Sequence, residues 1–534
     1  MKLHLLVGAA VVPLLVGMAF SPQARAEADD ALVTGVAVLP AGDGLYGRVT
    51  NAQGSPLPGV ELLAQGRRAV TNTQGEYLMN GVSGSVTLQA RYLGLPTVQQ
   101  TVTAQAGHLT ALNIVMGDSE VTAVADVVVT GIIGDGIARS LNQQKNADGT
   151  INVLSADAIG RYPDPNVAES LQRVPGIAIQ RDQGEGRYIN LRGAPSAFTA
   201  VSVDGVAIPA VSPTTRAVDL DTLPSDIVSN IEISKTLLPS QDADSIAGAV
   251  EIKTRSPFDK RRLALSGYGG ASYNDYGGND VRAGLTASNV FGENESFGGL
   301  ISLSYSRTNR RPDNVENAWT KVTQGGRDVM VLEESLFKDY ETQRTRQSIN
   351  GALEWRPSDD FKVWLRGSYA EFDDDEYRDT LRFGYSDGTL QAGATDTTAR
   401  FTGARIYKQM RHRTQNNQIG TLNLGFERLF SNGAVWDGAI ATAHSEQTYP
   451  HRDEVVFRSG SVALGYDMSN NYQPSYTAFS DPTGYYLDPS KYSFRENTYR
   501  ENSTTQEDVS IKTNFEMPSV MGDREVLWLS LIHI

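Results

Sequence analysis
Asp182, Glu185, Arg187 and Arg192 stand within one short stretch. Carboxylates and guanidiniums this close together can move protons or orient a substrate. Catalysis on a covalent bond would also need a nucleophile, a histidine or a metal beside them, and the stretch holds no such group. The chain has no cysteine, which removes thiol nucleophiles, thiolate metal sites and disulfides together. Its histidines, His4, His108, His412, His444, His451 and His533, are scattered along the sequence. Gly184 and Gly186 suggest a nucleotide loop, but the third glycine is missing and no strand runs from there into a helix. Asp373, Asp374, Asp375 and Glu376 form an acidic run that could bind a divalent cation, although such runs usually lie in solvent. The expectation is therefore no catalytic residue, cofactor or metal site. The charges at 182–192 should pair inside a polar lumen or with its wall.

The elements around this stretch read as a small α/β domain. Asn166 can cap a helix, with Glu169 at its third position in a capping-box arrangement. Val167, Leu171 and Val174 recur at helical spacing, and Pro175-Gly176 ends the run. Alternating strands are expected at Ile177–Ile179, Tyr188–Leu191, Val201–Val203, Ile231–Ile233 and Ile246–Ile252, with turn signals at Gly184, Arg192-Gly193 and Asp204-Gly205.

The flanks set the compartment. Met1-Lys2, an apolar run from Leu3 to Phe20 and the Ala24-Arg25-Ala26 site form a secretory signal peptide over residues 1–26. The formal charge is -15 with a pI of about 5.0, and the basic residues form no cluster, so no nucleic-acid partner is expected. Residues 43–118 alternate apolar and polar side chains in short runs, predicting a small β-sandwich. Residues 119–134 form a linker holding Asp126, Val127, Val128, Val129, Thr130 and Gly131, a β-prone segment able to add to another protein's sheet edge.

From 257 to 534 the period is two. Phe297, Gly299, Ile301, Leu303 and Tyr305 alternate with serines; Phe361, Val363, Leu365, Gly367 and Tyr369 alternate with Lys362, Arg366 and Ser368. Short turns at 292–296, 357–360 and 431–433 alternate with long polar connections at 308–345, 373–413 and 446–508. Apolar-out, polar-in strands with unequal loops and aromatic ends predict an antiparallel transmembrane β-barrel in contact with outer-membrane lipid. A soluble β-sandwich explains the alternation but not the unequal loops. In the long connections, Trp319, Tyr340, Tyr472, Tyr476, Tyr485 and Tyr486 are candidates for stacking on sugar rings or other planar ligands.

Three resemblances follow from these residues. Gly47, Val49, Gly54, Pro56 to Val60 and Thr73 to Tyr77 resemble the carboxypeptidase-regulatory-like domain. Asp126 to Gly131 resembles the TonB box. Asp164 to Gly193, Val203 to Gly205, Ile231 to Ile233 and Ala247 to Ile252 resemble the plug domain of TonB-dependent outer-membrane receptors, placed at 135–256. In that plug motif the marked positions are Asn166, Glu169, Arg173, Pro175, Gly176, Arg192, Gly193, Asp204 and Gly205. The stretch Tyr162 to Arg173 is similar to a subgroup of proteobacterial receptors.

The resemblance implies energised uptake of a large or scarce extracellular solute in a Gram-negative outer membrane, driven by a TonB-type inner-membrane energy coupler. It points to an oligosaccharide, with a ferric siderophore as the alternative. A passive porin or adhesin would need neither plug nor coupling segment. A signalling receptor would usually carry a different N-terminal domain. Such transporter barrels have about 22 strands, so residues 257–534 are expected to form only the N-terminal part of one, in a C-terminally truncated reading frame.

Overall fold
A computed structural model describes residues 43–52, 54–72, 75–117, 135–159, 164–212, 215–225, 228–238, 241–242, 244–259, 262–430, 434–478, 484–521 and 524–533. The leader, the segment Asp126–Gly131 and the turn at 431–433 lie outside them.

The first unit is a β-sandwich. One sheet pairs Gly44–Asn51 with Glu76–Asn80 and, in parallel, with Leu109–Ala111 and Ile114–Met116. The other runs Arg67–Val70, Glu61–Ala64, Gly84–Tyr92, Leu95–Ala104. Inward alternate residues, among them Leu45, Val49, Leu62, Met79 and Leu88, fill the space between them.

The unit rests on a helix, Asp135–Asn146. Asn146 donates to the Gly59 carbonyl at 2.7 Å and accepts from Arg68 at 2.8 Å, while the Asn142 side-chain oxygen accepts from the Leu93 amide at 2.9 Å. Gly59 has φ +75°, and a Cβ there would lie 2.6 Å from the Asn142 carbonyl carbon. Only glycine lets the two backbones approach this closely.

The α/β domain follows. Its five-stranded sheet runs Val206–Ala207, Thr199–Val203, Gly248–Thr254, Val228–Ser234, Ile151–Ser155. The hairpin Ile177–Asp182 and Glu185–Leu191 projects beside it. Helix Val167–Leu171 is buried along its whole length, with Asn166 accepting from the Glu169 amide at 3.0 Å as its N-cap. The capping box is half-formed. The Glu169 carboxylate turns away from Asn166 to accept from the Gly186 amide at 2.7 Å and from Arg181, tying the helix to the hairpin.

The remaining strands form one antiparallel wall. Along its main path the order is Ala264–Asn274, Gly278–Phe291, Phe297–Arg310, Arg327–Ser358, Phe361–Gly384, Thr398–Leu429, Val435–Ser459, Asn502–Met521, Arg524–His533. Its first and last strands do not pair with each other, so the barrel is open in this chain. On the outer face Leu303, Leu353, Leu365, Leu424 and Ile440 are exposed. At the short-turn end, Phe297 stacks on Phe291 and Trp355, whose ring meets the edge of Phe361. That is an apolar band with an aromatic girdle at its lower rim. The inner face carries apolar residues at the α/β domain: Ala370 and Ile419 join that domain's core, and Ala441 and Ala443 pack on Val206.

The long connections are not polar loops. Strand Arg327–Ser358 has 32 residues, roughly 105 Å of chain at about 3.3 Å per residue, whereas a membrane crossing uses about 9–11 residues. Most of the strand therefore stands above the lipid, where both faces can be polar. There, residues from these connections, including Val331, Leu332, Tyr385, Phe401, Ile406 and Leu464, form a separate apolar core. It engages three of the six candidate stacking residues, and the Tyr485 side chain lies outside the described ones. Trp319 meets Tyr466 edge-on, Tyr476 packs on Phe337 and Tyr486 on Phe383. Tyr340 is buried, and Tyr472 stands free in solvent.

Candidate functional site
The hairpin turn at 182–185 is where the α/β domain meets the wall. Glu185 reaches toward the wall from the start of Glu185–Leu191, while Arg344 and Arg346 share the lumen-facing side of Arg327–Ser358, two residues apart. Arg346 Nη2 lies 2.6 Å and Arg344 Nη1 3.2 Å from the Glu185 carboxylate, which also accepts from the Thr308 hydroxyl at 3.0 Å. The Glu185 side chain is 4% exposed and that of Arg346 0%. Burial alone would raise the Glu185 carboxyl. The two guanidiniums outweigh it and hold the group well below the ordinary carboxylate range.

The contact extends on both sides. Arg344 also binds Asp374 at 3.2 Å and donates to the Gln183 side chain at 2.7 Å, and the Gln183 amide donates to Glu376. Arg346 Nε donates to the Asp221 carbonyl at 2.7 Å, with the guanidinium 4.8 Å over the Phe372 ring. Arg187 bridges Asp182 and Asp219, both at 3.1 Å, and Asp219 accepts from Gln447 on the wall at 3.3 Å. Burial pushes the Asp221 carboxyl up to about 7. Arg187 opposes the rise, and neighbouring Asp219 adds to it.

The motif positions chosen from sequence serve the domain internally. Arg173 binds Asp164 at 3.0 Å, and Lys235 donates to the Pro175 carbonyl at 2.7 Å. Gly176, Arg192, Gly193, Asp204 and Gly205 all have positive φ and shape turns. Arg192 donates to the Ala247 carbonyl at 2.8 Å. Asp204 accepts from the Thr254 hydroxyl at 2.6 Å, while its carbonyl accepts from Asn423 of the wall at 2.8 Å. Glu185 and Arg187 make the deep contacts; the wall partners Arg344 and Arg346 were not singled out, and Asp374 was noted only as part of the acidic run.

Two sequence readings change. The run at 373–376 belongs to strand Phe361–Gly384 and alternates its faces: Asp374 and Glu376 bind Arg413 at 3.0 and 2.8 Å inside, while Asp375 meets His412 at 2.8 Å outside. The histidines are not all scattered in space, since the His412 and His451 rings lie 4.7 Å apart. Among the described residues no group of three or more His, Asp or Glu is placed to hold a metal ion.

The sandwich touches the wall near its short-turn end. Glu76 lies 3.0 Å from Lys362 and 2.8 Å from Arg48, with Arg356 at 4.0 Å. Burial works against its charge, yet these cations hold the carboxyl down at about 2.

Comparisons with known proteins agree with this architecture. Residues 143–249 match the TonB-dependent Receptor Plug Domain and residues 44–117 the Carboxypeptidase regulatory-like domain. Among solved structures, a mutant ferric enterobactin receptor, PfeA, from Pseudomonas aeruginosa in complex with enterobactin is 11% identical, with 70% of each chain covered and a TM-score of 0.31. The unliganded ferric citrate transporter FecA is 10% identical over 72% of this chain and 63% of that one, TM-score 0.30. The copper transporter OprC is 12% identical over 70% and 60%, TM-score 0.33. The assignment rests on the two domain matches, not on these distant similarities. With a plug domain of the TonB-dependent receptor type seated against a wall of antiparallel strands, this chain has the domain organisation of a TonB-dependent receptor, a family of outer-membrane β-barrel proteins of Gram-negative bacteria.

Proposed function
We propose that this receptor imports a large or scarce solute, an oligosaccharide, by energised displacement of its plug. The observation that carries this reading is the buried contact of Glu185 with Arg344 and Arg346. It fixes the plug hairpin to the wall, and a fully desolvated ion pair resists spontaneous opening. Breaking one by removing a partner typically costs about 3–5 kcal/mol, more than random fluctuation supplies often. An external pull is therefore needed. Asp126, Val127, Val128, Val129, Thr130 and Gly131 are the proposed grip, a β-prone segment for strand addition by a TonB-type energy coupler. Force on it would reach the hairpin through helix Asp135–Asn146 and the sheet strand Ile151–Ser155 that follows it.

The solute class rests on the similarity of the Tyr162 to Arg173 stretch to its proteobacterial subgroup. Energised uptake by cells making the full receptor, with glycan oligomers and ferric chelates as separate probes, tests both parts. A Val128→Pro variant, which loses a ladder donor, should abolish uptake of the transported probe while binding persists. Undiminished uptake would remove the coupling role, and uptake of ferric chelates alone would replace the oligosaccharide with a siderophore.

A further inference from the structure
Above the plug, arginines gather on the inner face of the wall, where they outnumber the carboxylates Asp374, Glu376 and Glu454. Residues sharing a face with Ala370 and Ile419, which pack on the plug, look into the lumen. On strand Phe361–Gly384 these include Arg378 and Arg382, and on Thr398–Leu429 Arg411 and Arg413. Val435–Ser459 contributes Arg452 and Arg458. Arg378 stands directly across from Arg411, and Arg413 from Arg452. Arg382 and Arg458 both flank Tyr407. The outer face of Phe361–Gly384 carries Glu371, Asp373, Asp375 and Asp379 and no arginine. In a chain with formal charge -15, concentrating arginines inside is not a compositional accident.

Like charges directly opposite one another weaken a sheet, so the pairs at 378/411 and 413/452 call for a compensating role. Internal pairing accounts for part of it. Arg378 binds Glu454 at 3.3 Å, Arg411 donates to Glu376 at 3.0 Å, Arg413 shares Asp374 and Glu376, and Arg382 binds Glu334 at 2.6 Å. Arg452 and Arg458 have no carboxylate partner among the described residues. The buried Nε groups of Arg378 and Arg413 have no hydrogen-bond partner. The Arg382 guanidinium lies 4.5 Å over the Tyr407 ring, and planar guanidiniums match carboxylates bidentately. The patch begins where Gln183 of the plug hairpin reaches Glu376, so a solute lodged there would lie against the gate.

We propose that the receptor's solute is a polyanion bound by this arginine-lined vestibule and, resting on the oligosaccharide reading above, a carboxylated oligosaccharide built of uronic acids. The neutral-glycan version of that reading is excluded by this proposal, because burying unmatched arginines against neutral hydroxyls would leave their charge uncompensated.

The test measures binding to the full chain in outer-membrane vesicles with three probes: an oligogalacturonate, a malto-oligosaccharide of the same length and ferric citrate. The oligogalacturonate should bind more tightly than the neutral oligomer and weaken as salt rises from about 0.05 M to about 0.5 M. Arg382→Gln and Arg458→Gln, at the more exposed end of the patch, should each weaken it by about tenfold, the value of one charge-assisted contact. Asp379→Asn, on the outer face, should leave it unchanged and controls for general electrostatics. Ferric citrate binding with the same arginine dependence and no uronate binding would keep the polyanion and overturn the glycan. Equal or tighter binding of the malto-oligosaccharide, insensitive to both arginine variants, would overturn the polyanion while leaving a glycan receptor standing. Failure of both anionic probes to bind would overturn the proposal outright.

Discussion

Glu185 of the plug and Arg346 of the barrel wall meet at 2.6 Å with almost no solvent on either side chain. The two are separated by 161 positions in the chain, so the contact closes only when plug and wall are docked. It makes the position of the gate depend on one buried carboxylate and the two guanidiniums that share it.

Truncating one partner should cost more than replacing both. Glu185→Gln leaves Arg346 without its paired carboxylate and Arg344 with Asp374 alone, and is expected to destabilise the docked plug by about 3–5 kcal/mol. Combining it with Arg346→Met should recover much of that loss, because the uncompensated charge goes with it. Hydrogen exchange of the Glu185–Leu191 strand in the single and double variants measures the coupling. Strictly additive effects would show that the pair is not the latch.

Asp221 should make plug docking pH-dependent near neutrality. Its folded-state value of about 7 lies above the ordinary 3.8, so the docked state holds the proton more tightly than the undocked one. The stabilisation is fully present below about pH 4 and is lost as pH rises through 7, by on the order of 1 kcal/mol or more. Glu185 and Glu76 shift the opposite way and lose their contributions only below the ordinary carboxylate range. The window between 4 and 7 therefore separates Asp221 from those two; burial also raises Glu251 and Asp259, so the variant at Asp221 itself makes the assignment. In Asp221→Asn the protection of neighbouring amides should be flat across that window; an unchanged slope would assign the titration to another group.

The sandwich should be clamped to the wall by charge. Glu76 is held near 2 by Lys362, Arg48 and Arg356 after opposing its own burial, so the clamp persists above about pH 4.5 and fails as pH falls toward 2. Glu76→Lys should release the sandwich at neutral pH, read as faster exchange in the Gly44–Asn51 strand. Adding Lys362→Glu should restore it, at least in part. No rescue would mean that packing rather than this pair holds the contact.

Gly59→Ala tests the other attachment. The positive φ and the Cβ approach of 2.6 Å to the Asn142 backbone leave no room for a methyl group, and strain of this kind costs about 1–3 kcal/mol. The expected result is loosening of helix Asp135–Asn146 from the sandwich with little change inside the plug sheet. Loss of protection confined to the plug sheet would contradict it.

Much of this was legible in the chain because its parts obey local rules. Val167, Leu171 and Val174 at helical spacing after Asn166 announced the plug helix, and the alternation from Phe297 to Tyr305 announced a wall strand. The 308–345 and 373–413 segments read as loops because polarity on both faces normally means solvent. They are largely strand, since above the lipid nothing requires an apolar face and ladder hydrogen bonds plus Arg–carboxylate pairs suffice. Helix Asp135–Asn146 gave little signal: it is mostly polar, and its anchors are the amides of Asn142 and Asn146 rather than an apolar stripe. Glu185 was visible as a charge in need of a partner, but nothing local pointed to Arg344 and Arg346, whose role arises from register across the sheet.

The central claim is that the plug must leave its seat on the wall for transport to occur. Gln183 of the hairpin touches Glu376 of the wall, and the native chain has no cysteine to interfere. A Gln183→Cys, Glu376→Cys receptor, cross-linked with a short bis-methanethiosulfonate, which forms a disulfide at each cysteine with loss of sulfinate and is cleaved by reduction, can be compared before and after release in the energised uptake assay. The account predicts that the cross-linked receptor still binds its solute but imports none, and that reduction restores import. Undiminished import by the fully cross-linked receptor would contradict it.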